Sequence, residues 1–323
     1  MTSVTNVTTI SRIALFGAGT MGSGIAVAAA SAGFPVVVID RDQQALDRSV
    51  TIVRSSLDLF VDEAILTSDE AEQAFARIQY ASSGEQPAHS ADLVIECIIE
   101  DRQAKEDLYR QLDAWCPPGT IIASNTSYLN IFELMPERRL PYTVIAHWFA
   151  PAHIVPLVEV VRGETSRDDV VDAVVAWLKT ADRVPIVLEK FVDGFCINRL
   201  QRILGREIFY LLDNGIITAE MLDVAVKASI VPRSLVLGFV QRYDFTGLQL
   251  SYSNLQNADY EEPPLDNNPR SLTEHLERGE LGVSSGKGFF DYGDEPLVDV
   301  LRRRDKRLLE VFQQTRELIY QRV

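Results

Sequence analysis

Two features of the sequence could carry chemistry. His147 closes the apolar run Val144-Ile145-Ala146, and twelve residues later Glu159 interrupts the apolar run Leu157-Val158-Glu159-Val160-Val161. A charge inside such a run is costly unless it is paired. A His147–Glu159 pair satisfies both groups, because the carboxylate fixes the imidazole tautomer and stabilises the imidazolium when it forms. A lone strand histidine is ordinarily structural, and it is the acidic partner that makes this one a candidate. Of the other three histidines, His89 and His275 read as surface residues, and His153 sits in a proline-bounded loop at a structural or substrate-edge position.

The second feature is Gly17-Ala18-Gly19-Thr20-Met21-Gly22, a GxGxxG that follows the apolar run Arg12–Phe16 and opens an alanine-rich helix. The next apolar run, Val36–Ile39, ends at Asp40. Strand, glycine turn, helix, strand and acidic residue form one dinucleotide-binding βαβ unit. Gly17 allows the tight turn, Gly19 lets the backbone approach a pyrophosphate, and Gly22 lets the helix pack on the sheet. Thr20 and Met21 lie in the first turn, where unpaired N–H groups and the helix dipole favour an anion. Asp40 can accept hydrogen bonds from ribose hydroxyls and would repel a 2′-phosphate, which favours NAD over NADP. Arg41 beside it could instead accommodate that phosphate. An FAD or S-adenosyl ligand would use the same turn, but a methyltransferase has no use for His147 and Glu159.

The elements that position these residues follow from periodicity. Apolar runs without alternation, at Ala91–Cys97, Thr120–Ala123, Tyr142–Phe149, Leu157–Val161 and Val184–Leu188, read as strands of a sheet buried on both faces. They alternate with helices up to about residue 190, and residues 41–80 read as helical and hydrophilic. Beyond Asp193-Gly194 the pattern changes. Ile197, Leu200, Leu204, Ile208 and Leu211 mark a helix with one buried stripe, Thr218–Lys227 and Ser234–Val240 are further helices, and residues 251–271 read as a long loop. The fold class is therefore an α/β Rossmann-type domain over 1–190 followed by an all-α domain over 191–323.

Composition narrows the partners. Of 323 residues, 46 are Asp or Glu and 31 are Lys or Arg, a net charge of −15. That balance disfavours nucleic acid and anionic membrane as partners. It also disfavours a polyphosphate ligand, unless backbone donors hold it as the glycine turn can. Cys97, Cys116 and Cys196 form no CxxC pair and read as thiols of a reducing compartment. No metal site is assigned. Met1–Thr9 is polar without a basic n-region, and no run is long enough to span a membrane, so a cytoplasmic location is expected.

Several separated motifs, in one order from Gly17 to about Tyr292, carry a specific resemblance. They are the glycine turn, Ser124-Asn125-Thr126-Ser127, His147-Trp148-Phe149-Ala150-Pro151, Pro156-Leu157-Val158-Glu159-Val160, Gly194-Phe195-Cys196-Ile197-Asn198-Arg199 and Ser285-Gly286-Lys287-Gly288-Phe289-Phe290-Asp291-Tyr292. In these the chain resembles the L-3-hydroxyacyl-CoA dehydrogenase family, which includes L-gulonate 3-dehydrogenases and carnitine dehydrogenases. The resemblance implies an NAD-dependent dehydrogenase in which His147 is the general base, taking the hydroxyl proton as hydride leaves the same carbon. It implies that Glu159 orients and stabilises His147, and that Ser127 and Asn198 hydrogen-bond the reacting oxygen or neighbouring groups. It further implies that Glu96, Lys105 and Asn125 lie beside the cofactor, and that the helical domain forms a homodimer.

Three departures bear on the substrate. Ala150 stands where acyl-CoA members commonly carry asparagine. Residues 41–80, lysine-rich in those members, here hold four basic residues against eight acidic ones, a poor surface for the phosphates of coenzyme A. The chain also extends about thirty residues past the point where acyl-CoA members stop, from about 293, with Leu301, Leu308, Phe312 and Ile319 expected on one helical face. The substrate expected is thus a 3-hydroxy acid or similar small polar alcohol, with a hydroxyacyl-CoA thioester as the alternative. The segment from His147 to Ile154 also resembles the branch of the family that acts on pyridine aldehydes or alcohols in vitamin B6 breakdown. A non-catalytic, crystallin-like NAD-binding protein is the alternative outside the enzyme class.

Overall fold

The computed structural model describes residues 9–321; the reading of the extreme N-terminus lies outside them, apart from Thr9. The chain divides into two compact units between Arg199 and Leu200.

The first unit is built on one eight-stranded sheet. Its strands are β1 (Ile13–Phe16), β2 (Val36–Ile39), β3 (Ile78–Ala81), β4 (Leu93–Glu96), β5 (Ile121–Ser124), β6 (Thr143–Trp148), β7 (Leu157–Arg162) and β8 (Val184–Leu188), in the order β3-β2-β1-β4-β5-β6-β7-β8. All pairs are parallel except β6 with β7. The central strands are buried on both faces, as unbroken apolar runs require. The helices are α1 (Thr20–Ser31), α2 (Gln43–Asp62), α3 (Ser68–Ala76), α4 (Glu85–Ser90), α5 (Arg102–Trp115) and α6 (Asp168–Thr180).

The stretch 41–80 is not wholly helical. Asp42 caps α2, Thr67 and Glu70 form a capping box on α3, and the chain then enters β3. Ile-Gln-Tyr-Ala is too short and too polar to read as a strand, because β3 lies at the sheet edge, where only part of it is buried. Helix α4 was also not legible.

The chain reverses direction of strand addition at β1, going outward to β2 and β3 and then back to β4. The crevice at such a reversal, beyond the strand carboxyl ends, is where α/β sheets bind ligands. Gly17, at φ +107°, makes the turn there, and a Cβ on it would lie 2.4 Å from the Cys97 carbonyl oxygen. A Cβ on Gly22 would lie 1.9 Å from the Gly17 carbonyl oxygen, so α1 reaches the sheet this closely only with glycine at that position.

The second unit is helical. Helix α7 (Ile197–Asp213) runs into it and is followed by α8 (Ala219–Ala225), a π-helical turn (Val226–Ile230), α9 (Val231–Thr246), α10 (Leu248–Leu255), α11 (Arg270–Glu277) and α12 (Leu297–Thr315). Helix α9 is kinked at Gly238, whose φ is +66°. The expected loop over 251–271 begins only after α10. The stripe expected to be buried on α7 is open at Leu200, Leu204 and Ile208. On α12 the buried residues are Val300 and Leu309, with Leu301, Leu308 and Phe312 half-buried beside them and Ile319 exposed in the following turn. Among the described residues no helix is long and apolar enough to cross a membrane.

Candidate active site

His147 and Glu159 face each other across the antiparallel β6–β7 pair. Their separation of twelve residues is therefore one step of the strand register. His147 Nδ1 lies 2.8 Å from Glu159 Oε2, and the side chains are 5% and 0% exposed. A carboxylate only accepts hydrogen bonds, so Nδ1 carries the proton and Nε2 keeps the lone pair. The other carboxylate oxygen, Oε1, accepts the backbone N–H groups of Cys196 and Ile197 at 3.0 Å each. These N–H groups belong to the start of α7, where orphan donors and the helix dipole favour a negative charge. Phe149 and Phe195 stand edge-on and tilted against the imidazole, with centroids 4.6 and 5.2 Å away. The ring is thus fixed in tautomer and in plane.

Ser127 lies in the loop after β5, half-buried, and among the described residues its hydroxyl meets no protein partner. Its carbonyl oxygen accepts the Asn198 side-chain amide at 3.5 Å. The structure thus brings Ser127 and Asn198 together. Asn125 Oδ1 accepts the Trp148 N–H at 2.8 Å, which ties this loop to the end of the strand bearing His147.

Two groups expected beside the cofactor are bound mainly to each other. Glu96 Oε1 meets Lys105 Nζ at 2.7 Å, with both side chains buried. Tyr109 and Ser124 hydroxyls donate to Glu96 Oε2 at 2.7 and 2.6 Å, and the Ile98 N–H donates to Oε1. Every lone pair of Glu96 has a protein partner, so its carboxylate organises the ends of β4, β5 and α5 from beneath. Burial pushes the Tyr109 hydroxyl well above its ordinary range, with Glu96 adding to the rise, so it stays a proton donor. Glu100, which sequence reading did not single out, also reaches Lys105, at 3.2 Å. Lying in a loop directly before Asp101, it gives no sequence signal of its own; its loop partners come from 26 to 29 residues away.

The glycine turn fits a dinucleotide. Gly19 caps α1 without any side-chain hydrogen bond, and a Cβ there would meet nothing within 4 Å. No side-chain cap therefore competes for the N–H groups of the first turn. Asp40 Oδ2 accepts the Ala18 N–H at 2.9 Å and Oδ1 accepts the Asp42 N–H at 3.0 Å. Each oxygen keeps capacity for a ribose hydroxyl. Arg41 is exposed.

The remaining histidines differ from expectation in part. His89 is exposed. His153 is buried and packs at 5.7 Å on Phe60 of α2. His275 is not a free surface residue. Its Nδ1 lies 2.6 Å from Glu280 Oε2, and its ring stands edge-on to Phe289. Lys287 and Arg278 also bind Glu280, at 2.9 and 3.0 Å, and together these groups hold that carboxyl down at about 2. The Ser285–Tyr292 motif is thereby accounted for as an ionic clamp within the second unit.

A dinucleotide crevice with an imidazole–carboxylate pair at the same sheet edge defines a nicotinamide-dependent dehydrogenase. Comparison with known proteins agrees. The profile of the 3-hydroxyacyl-CoA dehydrogenase NAD-binding domain matches residues 12–191, and that of the family's C-terminal domain matches 194–292. The chain belongs to the 3-hydroxyacyl-CoA dehydrogenase family, and is an NAD-dependent oxidoreductase acting on CH–OH groups. It is 32% identical to a probable 3-hydroxybutyryl-CoA dehydrogenase of Bacillus subtilis, over 88% of this chain and 99% of that one. It is 30% identical to the 5-formyl-3-hydroxy-2-methylpyridine 4-carboxylate 5-dehydrogenase of Mesorhizobium japonicum, over 94% and 97% of the two chains. Among solved structures, a dehydrogenase of that pyridine carboxylic acid, described as an NAD+-dependent dismutase, superposes with a TM-score of 0.84 at 29% identity, covering 95% of this chain and 99% of that one. An (S)-3-hydroxybutyryl-CoA dehydrogenase from Ralstonia eutropha gives 0.70 at 29% identity, covering 88% and 100%.

Proposed function

We propose that the protein oxidises the hydroxyl-bearing carbon of a small 3-hydroxy acid or similar polar alcohol, with free acid rather than CoA thioester as substrate. One observation carries the choice. Three of the four cations in residues 41–80 are already engaged: Arg48 near Asp42 at 3.6 Å, Arg54 on Glu72 at 2.6 Å, and Arg77 on the Ala30 carbonyl at 3.4 Å. Only Arg41 is left among the described residues of that stretch, against eight acidic residues. The three phosphates of coenzyme A need more positive charge than that. A second reading, a carboxylated pyridine alcohol or aldehyde, draws support from the higher TM-score and fuller coverage of the pyridine carboxylic acid dehydrogenase.

In this proposal His147 Nε2 takes the proton of the substrate hydroxyl as the carbon–oxygen double bond forms. Bound NAD supplies the hydride acceptor. Glu159 stabilises the resulting imidazolium across the 2.8 Å contact and, through the α7 N–H groups, cannot swing away. The Ser127 hydroxyl and the Asn198 amide donate to the reacting oxygen as charge builds on it. Glu96, Lys105 and Asn125 act by shaping the loops between the cofactor crevice and His147. The proposed domain roles are cofactor binding for 1–190, and substrate binding and dimerisation for 191–323. Homodimer formation draws support from apolar side chains left open in the second unit, such as Leu204 at 49%, Val240 at 82% and Leu255 at 83% exposure. The three cysteines are free thiols, in keeping with a cytoplasmic location.

The test is an NADH-coupled panel of free 3-hydroxybutyrate, 3-hydroxybutyryl-CoA and 5-formyl-3-hydroxy-2-methylpyridine 4-carboxylate. Free 3-hydroxybutyrate as the best substrate by kcat/KM supports the proposal; the pyridine carboxylate as the best substrate supports the second reading in its place; preference for the thioester overturns both. Light scattering at micromolar concentration is expected to give a dimer, and a monomer would contradict that part.

A further inference from the structure

We propose that Arg183 is a positioning residue for the hydride transfer. Its guanidinium pins the loop that joins the strand of His147 to the strand of Glu159, and so seats that loop against the cofactor helix α1. The proposal rests on the reading of His147 as the base. Helix α6 ends in a turn made by Asp182 at φ +61°. The Arg183 N–H closes that turn on the Leu178 carbonyl at 2.8 Å, the hydrogen bond of a Schellman cap. Arg183 Nε donates to the Ala181 carbonyl at 3.0 Å, at a helix end that favours a cation. One terminal nitrogen of the same guanidinium faces three carbonyls of the β6–β7 loop, those of Ala152 and His153 at 3.4 Å and that of Val155 at 3.5 Å. Burial alone acts on the charge, pulling the guanidinium down to about 10 with no acidic group offsetting it. Arg183 therefore stays a cation at neutral pH, and its partners are the loop carbonyls rather than a carboxylate.

The loop, residues 149–156, reaches the catalytic pair at both ends. Its first residue, Phe149, stands edge-on to the His147 ring at 4.6 Å. Its last, Pro156, leads into β7 and accepts the Val184 N–H at 2.8 Å. Between these ends the loop lies on the βαβ unit of the glycine turn. A Cβ on Gly24 of α1 would come within 3.2 Å of the Ala152 Cβ and 3.3 Å of the His153 nitrogen, and the His153 ring packs on Phe60 of α2 at 5.7 Å. Ala152 and His153, the two residues that meet α1, are both buried and are two of the three whose carbonyls face Arg183. The loop is thus held from β8 on one side and bears on the cofactor helix on the other. Its place sets how far His147 Nε2 stands from a nicotinamide held by the first turn of α1. Without the guanidinium, buried carbonyls of the loop lose their donor, and the loop is free to relax away from α1. Arg183 acts through the loop, not on the reacting atoms.

The experiment compares wild type with Arg183→Met, which keeps an apolar stem and removes every donor, and with Arg183→Lys, which keeps a charge but not the planar fork. NADH formation is followed in a single turnover by stopped flow, on whichever of the three panel substrates is fastest. The substrate carries hydrogen or deuterium on the carbon that loses hydride, and NAD binding is measured by calorimetry. Misplacing reacting groups by about an ångström costs up to ~100-fold, so Arg183→Met is expected to slow the single-turnover rate at least ~10-fold. The slowed step should still show a deuterium isotope effect, and NAD affinity should stay within a few fold. Arg183→Lys should fall between Arg183→Met and wild type. A merely structural role would lower the amplitude of the turnover and leave its rate. A wild-type rate in Arg183→Met, at whatever amplitude, therefore overturns the proposal and leaves the His147 reading standing. Retained turnover in His147→Gln removes that reading and this proposal with it. Should Arg183→Met fail to fold, Arg183→Lys decides: a slower rate with a deuterium isotope effect supports the proposal, and a wild-type rate overturns it.

Discussion

Replacing Glu159 by glutamine exchanges one carboxylate oxygen for an NH2 group and removes one charge, and the structure sets the size of the effect. The carboxylate accepts from His147 Nδ1 at 2.8 Å on one oxygen and from two backbone N–H groups at 3.0 Å on the other. An amide has one accepting oxygen and one donating nitrogen. If its oxygen faces His147, its NH2 confronts the N–H groups of Cys196 and Ile197. If its oxygen faces those, its NH2 donates to Nδ1, the proton moves to Nε2, and the base is lost. The charge that steadies the imidazolium is gone in either arrangement. At ~4 Å between charge centres and an effective dielectric of ~20, that charge is worth about 4 kcal/mol, or roughly a 1,000-fold fall in kcat. The assay is steady-state NADH formation on the fastest panel substrate, with NAD binding followed by calorimetry in the same preparation. Glu159→Gln within about tenfold of wild-type kcat would refute the reasoning. Equal loss of NAD affinity would place the damage in the fold instead.

Two further predictions follow from the same geometry. Asp40→Ala removes the proposed ribose acceptor and also frees the Ala18 and Asp42 N–H groups; charge-assisted hydrogen bonds are worth ~1.5–3 kcal/mol, so NAD affinity should fall at least ~10-fold by calorimetry, and an unchanged Kd would count against the role. In the second unit, Lys287, Arg278 and His275 lower the Glu280 carboxyl from 4.5 to about 2. A depressed carboxyl stabilises the fold above its unfolded value and stops doing so as pH falls through the folded one, so acid unfolding of wild type should contain a component between about 4.5 and about 2 that Glu280→Gln lacks. Identical acid profiles would contradict it.

How far the sequence revealed the site depends on whether the interaction is local. The glycine turn, α1 and Asp40 lie within one βαβ unit, and their spacing alone marks them. His147 and Glu159 are legible because each breaks an apolar run, and a twelve-residue gap is short enough for adjacent antiparallel strands. Glu100 is not legible, since its donors arrive from the next strand–helix connection. For Glu96 and Lys105 only the resemblance points to the cofactor, and their mutual contact at 2.7 Å, between β4 and α5, has no sequence signal. β3 was missed because an edge strand needs little apolar sequence. In the helical unit the periodic segments appear as helices, but the kink at Gly238 and the π turn at Val226–Ile230 leave no mark in periodicity. Nor does periodicity say what covers the α7 stripe, which lies open at Leu200, Leu204 and Ile208.

The most direct measurement of the central claim is the pairing of turnover with NAD binding in His147→Gln. The imidazole sits 2.8 Å from its carboxylate and has Nε2 as its one free acceptor, while the NAD contacts proposed for the glycine turn and Asp40 do not involve it. The variant is expected to lose turnover on every substrate the wild type accepts and to bind NAD within a few fold of wild type. Retained turnover would contradict the assignment of His147 as base.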